Sequence, residues 1–186
     1  MYCRTVKRAT WLRPVLAAGR WAAGLVVLAG LSVAGAPIAH ATDPSGLTST
    51  MVAKGTFADD IAARINTDVD PNAQSDVWRA WINTKGASDL EVLQNTFAPG
   101  GTIGWHSHPG PSLVIVKAGT ATLYMGDDHT CTPHVVPAGS GFVDSGADVH
   151  VVRNEGSEEL VVVVASLIPA GATRRIDQPR PGHCGF

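Results

Sequence analysis

The sequence predicts an all-β domain, a barrel or sandwich of short strands. Three observations carry this. Turn signals recur at short intervals: Pro99-Gly100-Gly101, Pro109-Gly110, Gly119, Gly126-Asp127-Asp128, Ala138-Gly139 and Glu155-Gly156. The stretches between them are rich in Val, Ile, Leu, Thr and Tyr, the residues that suit a pleated, half-buried surface. No βαβ rhythm is present, which an open parallel sheet requires.

The chain opens differently. Arg4, Lys7, Arg8, Arg13 and Arg20 precede the apolar run WAAGLVVLAGLSVAGAPIA, and the first acidic residue is Asp43. The run closes on Ala39-His40-Ala41, the small-residue exit that a signal peptidase cuts, so residues 1–41 read as a secretory leader cleaved near Ala41-Thr42. An uncleaved anchor is the alternative, since about 19 mostly apolar residues just span a bilayer. Without the leader, nine Lys/Arg face sixteen Asp/Glu, a formal net of −7. That balance excludes a basic footprint for nucleic acid and gives no attraction to an anionic membrane surface. The expected location is therefore secreted or periplasmic, with no stable membrane insertion after cleavage. About 145 residues remain, enough for one domain with an ordinary core.

Residues 42–74 read as a lead-in, with one strand and a short helix around Asp59 to Ile65. From about Ser75 the β runs follow in order. VWRAWINTK places Trp78, Ala80 and Ile82 on one face. DLEVLQNTF, TIGWHSHPGP, SLVIVKAG, TATLYMGDD, PHVVPAG, GFVDSG, VHVVRN and EELVVVVASLIPAG complete the domain to about residue 172. LVIVK and LVVVVASLI are continuous apolar runs, which predicts burial on both faces, one inward and one against a second layer or a partner subunit. A homodimer is the partner arrangement this pattern allows.

Two cysteines follow the leader, Cys131 and Cys184. An even count in an oxidising compartment predicts a disulfide. It ties the tail, residues 173–186, to the barrel and closes a loop of just over fifty residues; the chain-entropy model gives such a bridge about 4 kcal/mol. Two free thiols or thiolate metal ligands are the alternatives, and neither has a CxxC spacing behind it.

The chemistry concentrates in GGTIGWHSHPGPSLVIVKAG. His106 and His108 stand at i and i+2, so on a strand both imidazoles project from one face. Two nitrogens converging at about 2 Å on one ion is the requirement this spacing meets. His150, in DVHVVRN on another β run, supplies a third. Trp105 alternates with the ligands and is expected in the core on the opposite side. Ser112, His134 and Gln94 are expected pocket residues, although alternation alone does not fix the faces of Gln94 or Tyr124. His129 and His183 fall in polar loops. Asn154 is expected to hold backbone near the third ligand.

The segment resembles the first motif of the cupin family, G-x5-H-x-H-x3-E-x6-G, read at Gly100, His106, His108, position 112 and Gly119. Ser112 stands where the family has Glu. The second motif, G-x5-P-x-G-x2-H-x3-N, is matched at His150 and Asn154. Asp144-Ser145-Gly146 replaces its P-x-G, with one extra residue before the histidine. The resemblance spans roughly residues 75–170. It implies a single double-stranded β-helix, or jelly-roll, barrel with a short N-terminal extension, often dimeric, with the three histidines as metal ligands.

Three neutral imidazoles without the carboxylate leave the full charge of a divalent ion and suit Fe, Zn, Ni or Cu, with Mn disfavoured. Dioxygen chemistry on a chelating small molecule and Lewis-acid isomerisation or hydrolysis both remain open at such a site. The alternative is a non-catalytic binding or sensing module with a vestigial site. Ser112 has no His-Asp partnership in sequence, so nucleophilic hydrolase chemistry is not expected.

Overall fold

The computed structural model describes residues 41–68 and 77–186. The leader expected over residues 1–41 lies outside them but for Ala41. The strands are β1 (Ser45–Phe57), β2 (Ala62–Asp68), β3 (Val77–Asn83), β4 (Ser88–Thr102), β5 (His106–Ser107) and β6 (Ser112–Ala118). They continue as β7 (Thr120–Met125), β8 (His134–Pro137), β9 (Gly141–Asp144), β10 (His150–Arg153), β11 (Leu160–Pro169) and β12 (Ile176–Asp177). No helix occurs among the described residues. The protein is an all-β jelly-roll barrel.

Ten strands form one antiparallel sheet in the order β12-β5-β10-β4-β11-β6-β9. β1 adds to β4, β7 to β10 and β8 to β7. β4 is the spine. It pairs along its length with β1 on one side and β11 on the other. β1 therefore makes part of the expected lead-in a full strand of the barrel sheet.

Alternation decides what is inside. On β11, Leu160, Val162, Val164, Ser166 and Ile168 are buried and their neighbours half-buried. On β4 the buried set includes Asp89, Glu91, Leu93, Asn95 and Phe97, and on β6 it is Ser112, Val114 and Val116. The core joins Phe97, Trp105, Val114, Val116, Val151, Leu160 and Val162. Trp105 is buried there, as its alternation with the histidines predicts. The second face of LVIVK is not buried within the chain. Leu113 and Ile115 are exposed, and Val143, opposite Leu113 on β9, extends the apolar stripe.

The helix expected around Asp59 to Ile65 is a correction. Residues 62–68 are strand β2, paired with β3 as a separate two-stranded sheet. The backbone N–H of Ile61 donates to Thr84 Oγ1 (2.9 Å), and that of Thr84 to the Ile61 carbonyl (2.9 Å), closing the end of this hairpin. Trp78, Trp81 and Ile82 are exposed on it, with the Arg64 guanidinium 5.2 Å from the Trp81 ring centre.

Cys131 and Cys184 form a disulfide across 53 residues. Cys184 is buried in the core, and Phe186 behind it packs on Tyr124 (ring centres 4.6 Å apart) and Trp105 (6.3 Å). The Arg153 guanidinium lies 4.5 Å from the centre of the same Phe186 ring. Residues 184–186 thus close one end of the barrel.

Candidate metal centre

Register brings the three histidines together. His150 on β10 is the direct cross-strand partner of His106 on β5. His108 lies just past β5, and its backbone N–H donates to the Gly146 carbonyl (2.9 Å), holding the chain beside the loop before β10. All three are buried, at 2%, 5% and 3% exposure for His106, His108 and His150. Their ring centres stand 4.4 to 5.4 Å apart, and one nitrogen from each lies within 4.8 Å of the others.

The opposite ring nitrogens show how the site is set. His106 Nδ1 donates to the Gly104 carbonyl (2.8 Å), His108 Nδ1 to the Arg174 carbonyl (2.7 Å) and His150 Nδ1 to the Asp148 carbonyl (3.0 Å). A carbonyl only accepts, so each Nδ1 carries the proton. Burial, then the charges of His150 and His108, push His106 down to about 2. Burial also pushes His108 below the ordinary imidazole range. With each Nδ1 committed to a carbonyl, the Nε2 atoms are left to face inward, and it is through such a nitrogen of neutral imidazole that histidine binds a metal. Gly104 makes its carbonyl available through a left-handed turn (φ 77°), and a β-carbon there would collide with the Thr42 carbonyl oxygen.

A carboxylate reaches the same space. Asp144, at the end of β9, places Oδ2 3.1 Å from His108 Nε2 and 3.6 Å from His150 Nε2. Its Oδ1 accepts from the Gly146 N–H (2.9 Å). Its Oδ2 is buried and receives no hydrogen bond. Asn95, Phe97, Val114, Phe142 and Arg174 help to line the cavity these groups share, whose volume is about 30 Å³. The donor set fits a divalent cation: three imidazole nitrogens and an orphaned carboxylate oxygen converge on one space.

Of the other residues singled out in the sequence, Ser112 lines this cavity and shares a hydrogen bond with Ser166 (2.7 Å). Gln94 does not. It lies on the opposite face of β4 from Asn95, accepting from Lys117 Nζ (3.2 Å). His134 is exposed on β8, outside the cavity. The Tyr124 hydroxyl donates to the Glu155 carboxylate (3.0 Å). Asn154 is buried, donating to the Phe97 (3.0 Å) and Glu158 (2.7 Å) carbonyls. His129 and His183 lean on each other, with ring centres 4.8 Å apart. Two charged lining residues, Arg174 and Asp144, were not assigned to the site from sequence. Arg174 falls in the tail and carries no local signal. Asp144 has one, a carboxylate beside Gly146 in the second motif, but only the β6–β9 register shows where it points.

Residues 94–166 match the family profile of the cupin domain. Those residues form a cupin domain. The chain is similar to auxin-binding protein 1 of Arabidopsis thaliana, 32% identical over 84 residues, which are 42% of this chain and 42% of the relative. It thus spans less than half the length of that relative. Among solved structures it is similar to an oxalate oxidase in complex with the substrate analogue glycolate, with 29% identity, 41% of each chain covered and a TM-score of 0.37. It is also similar to a cupin-like protein from Thermotoga maritima, with 22% identity over 49% of this chain and 65% of that one, TM-score 0.42.

Proposed function

We propose that this protein is an exported metallocupin that binds, and transforms, a small molecule at one divalent transition metal held by His106, His108 and His150. The observation that carries the reading is the set of three inward Nε2 atoms, each ring fixed by an Nδ1–H bond to a backbone carbonyl. When bound, such an ion supplies Lewis-acid polarisation or, as iron, activation of dioxygen. The chain's own residues do the rest. Ile103, Val114, Phe142 and Val162 give the cavity apolar walls that limit water, and Arg174 is its one basic lining residue besides the histidines. That cation favours an anionic small molecule. A cavity of about 30 Å³ holds an ion and a water.

Elemental analysis of the mature protein, purified from its native compartment, tests this. One equivalent of transition metal per chain is expected, lost in His106→Ala and in His150→Ala. Metal retained at full stoichiometry in both variants sinks the site. Iron directs the next assays to oxygenation, and zinc or nickel to isomerisation or hydrolysis. Export is part of the proposal. The Cys131–Cys184 bridge supports it, and amino-terminal sequencing is expected to begin at Thr42. A homodimer through the Leu113, Ile115 and Val143 stripe completes it, with a dimer mass in light scattering as the expected result.

A second reading, a binding module without turnover, draws support from the relative named for binding auxin and from the small cavity. Stoichiometric ligand capture by metal-free protein, with no product formed by the loaded form, favours it.

A further inference from the structure

We infer that Asp144 is the fourth protein ligand of this metal centre, supplying from β9 the carboxylate that position 112 on β6 lacks. The inference rests on the three-histidine reading and deepens it.

Ser112 and Asp144 are direct partners across the β6–β9 ladder. Paired residues of an antiparallel sheet project from the same face, and both line the cavity. Ser112 cannot ligate. Its hydroxyl is short and is engaged with Ser166, itself fully buried. Asp144 reaches the histidines from one strand further along, its side chain only 5% exposed.

The chemistry at its tip fits a bound cation. Oδ1 is held by the Gly146 amide, which turns Oδ2 inward. There Oδ2 meets His108 Nε2 at 3.1 Å and His150 Nε2 at 3.6 Å. Nδ1 of both rings is committed to a backbone carbonyl, so the nitrogens facing Oδ2 are the two Nε2 atoms, and no hydrogen bond relieves the buried oxygen. A carboxylate oxygen in that position is costly unless a cation sits among the acceptors. A divalent ion ligated by all four converts every one of these contacts into an attraction.

The consequence is a different choice of metal. A carboxylate lowers the charge of the site by one and adds a hard oxygen to three imidazoles, which brings Mn(II) into contention beside Fe(II). The lower preference for Mn expected from the sequence depended on Ser112 alone, and with Asp144 as a ligand that ground is removed.

The test uses the full mature chain, stripped with chelator, and titrates Mn(II) and Co(II) separately. Binding is followed by calorimetry, by the visible spectrum of Co(II) and by the rise in Tm. Asp144→Asn keeps the shape and the Gly146 contact but removes the charge. It is expected to weaken Mn(II) binding by at least about 100-fold, given that even partners outside the ligand set are worth about 10- to 100-fold. It should also alter the Co(II) spectrum. The double variant Asp144→Ala with Ser112→Glu returns the carboxylate to the opposite strand and is expected to recover most of the affinity. If His150→Ala abolishes binding while Asp144→Asn matches the parent in affinity, Co(II) spectrum and Tm rise, Asp144 is not a ligand and the three-histidine site stands. If His150→Ala itself binds like the parent, the underlying reading has failed instead. The Tm rise on adding metal reads out even in a destabilised variant, so a poorly folding Asp144→Asn still decides the matter.

Discussion

His106 and His150 face each other across β5 and β10, with ring centres 4.4 Å apart. Two ligands of the proposed centre are therefore set by one rung of a ladder rather than by a loop. An ion there ties β5 to β10, and its binding energy is available only to the folded chain. Chelator-stripped protein is expected to melt below the loaded form. At free metal 100-fold above Kd the stabilisation is about 2.7 kcal/mol. Calorimetric scans with and without metal check this, and equal Tm values count against the site.

The Cys131–Cys184 bridge constrains 53 residues of the unfolded chain. Reduction, or Cys131→Ser with Cys184→Ser, is expected to cost about 4 kcal/mol by the chain-entropy model. Urea unfolding with and without dithiothreitol measures it. Cys184 is also buried and Phe186 packs behind it, so Phe186→Ala should cost about 1–3 kcal/mol in the same assay.

Acid lability should trace in part to Asp89. The Thr56 hydroxyl, the Gly171 amide and the Lys54 ammonium hold its carboxyl at about 2. A folded value below the unfolded one, about 3.9, means the unfolded chain binds the extra proton as pH falls. The stabilisation is complete above the ordinary carboxylate range and is lost as pH drops from about 4 towards 2. Asp89→Asn is expected to lower stability at pH 7 and to flatten the acid limb between those values. Denaturant midpoints taken at a series of pH values give the comparison.

Asn154 answers a different question, whether the second motif acts on chemistry or on backbone. Its amide donates to the Phe97 and Glu158 carbonyls, and its oxygen accepts from the Gly156 amide (3.1 Å). Asn154→Ala leaves buried groups without partners, at about 1–3 kcal/mol for each one left unmet. It is expected to destabilise the fold while leaving metal stoichiometry at one per chain. Metal loss from a folded Asn154→Ala protein contradicts this assignment.

Much of this molecule is readable without coordinates, and the parts that are not share a cause. His106 and His108 announce a shared strand face, and the turn residues mark out the barrel from β4 onward. The phase of a strand is harder. Gln94 and Asn95 are both polar neighbours on β4, and only the packing of Phe97 shows that the odd positions point inward. His134 fails on the same ground. Residues 59–65 hold Ala and Arg, good helix formers, yet pairing with β3 overrides their local preference. Asp144 is the sharpest case. Its partnership with Ser112 joins residues more than thirty positions apart, and no local pattern encodes that register.

The smallness of the cavity carries a kinetic meaning. A divalent ion must shed most of its hydration shell to enter a space of about 30 Å³, and it must regain that shell on the way out. Exchange is then expected to be slow, and dialysis a poor equilibrator. Selectivity in such a site follows which ion is available when the chain closes around it. Any metal found in the purified protein would in that sense be a record of the compartment in which it folded.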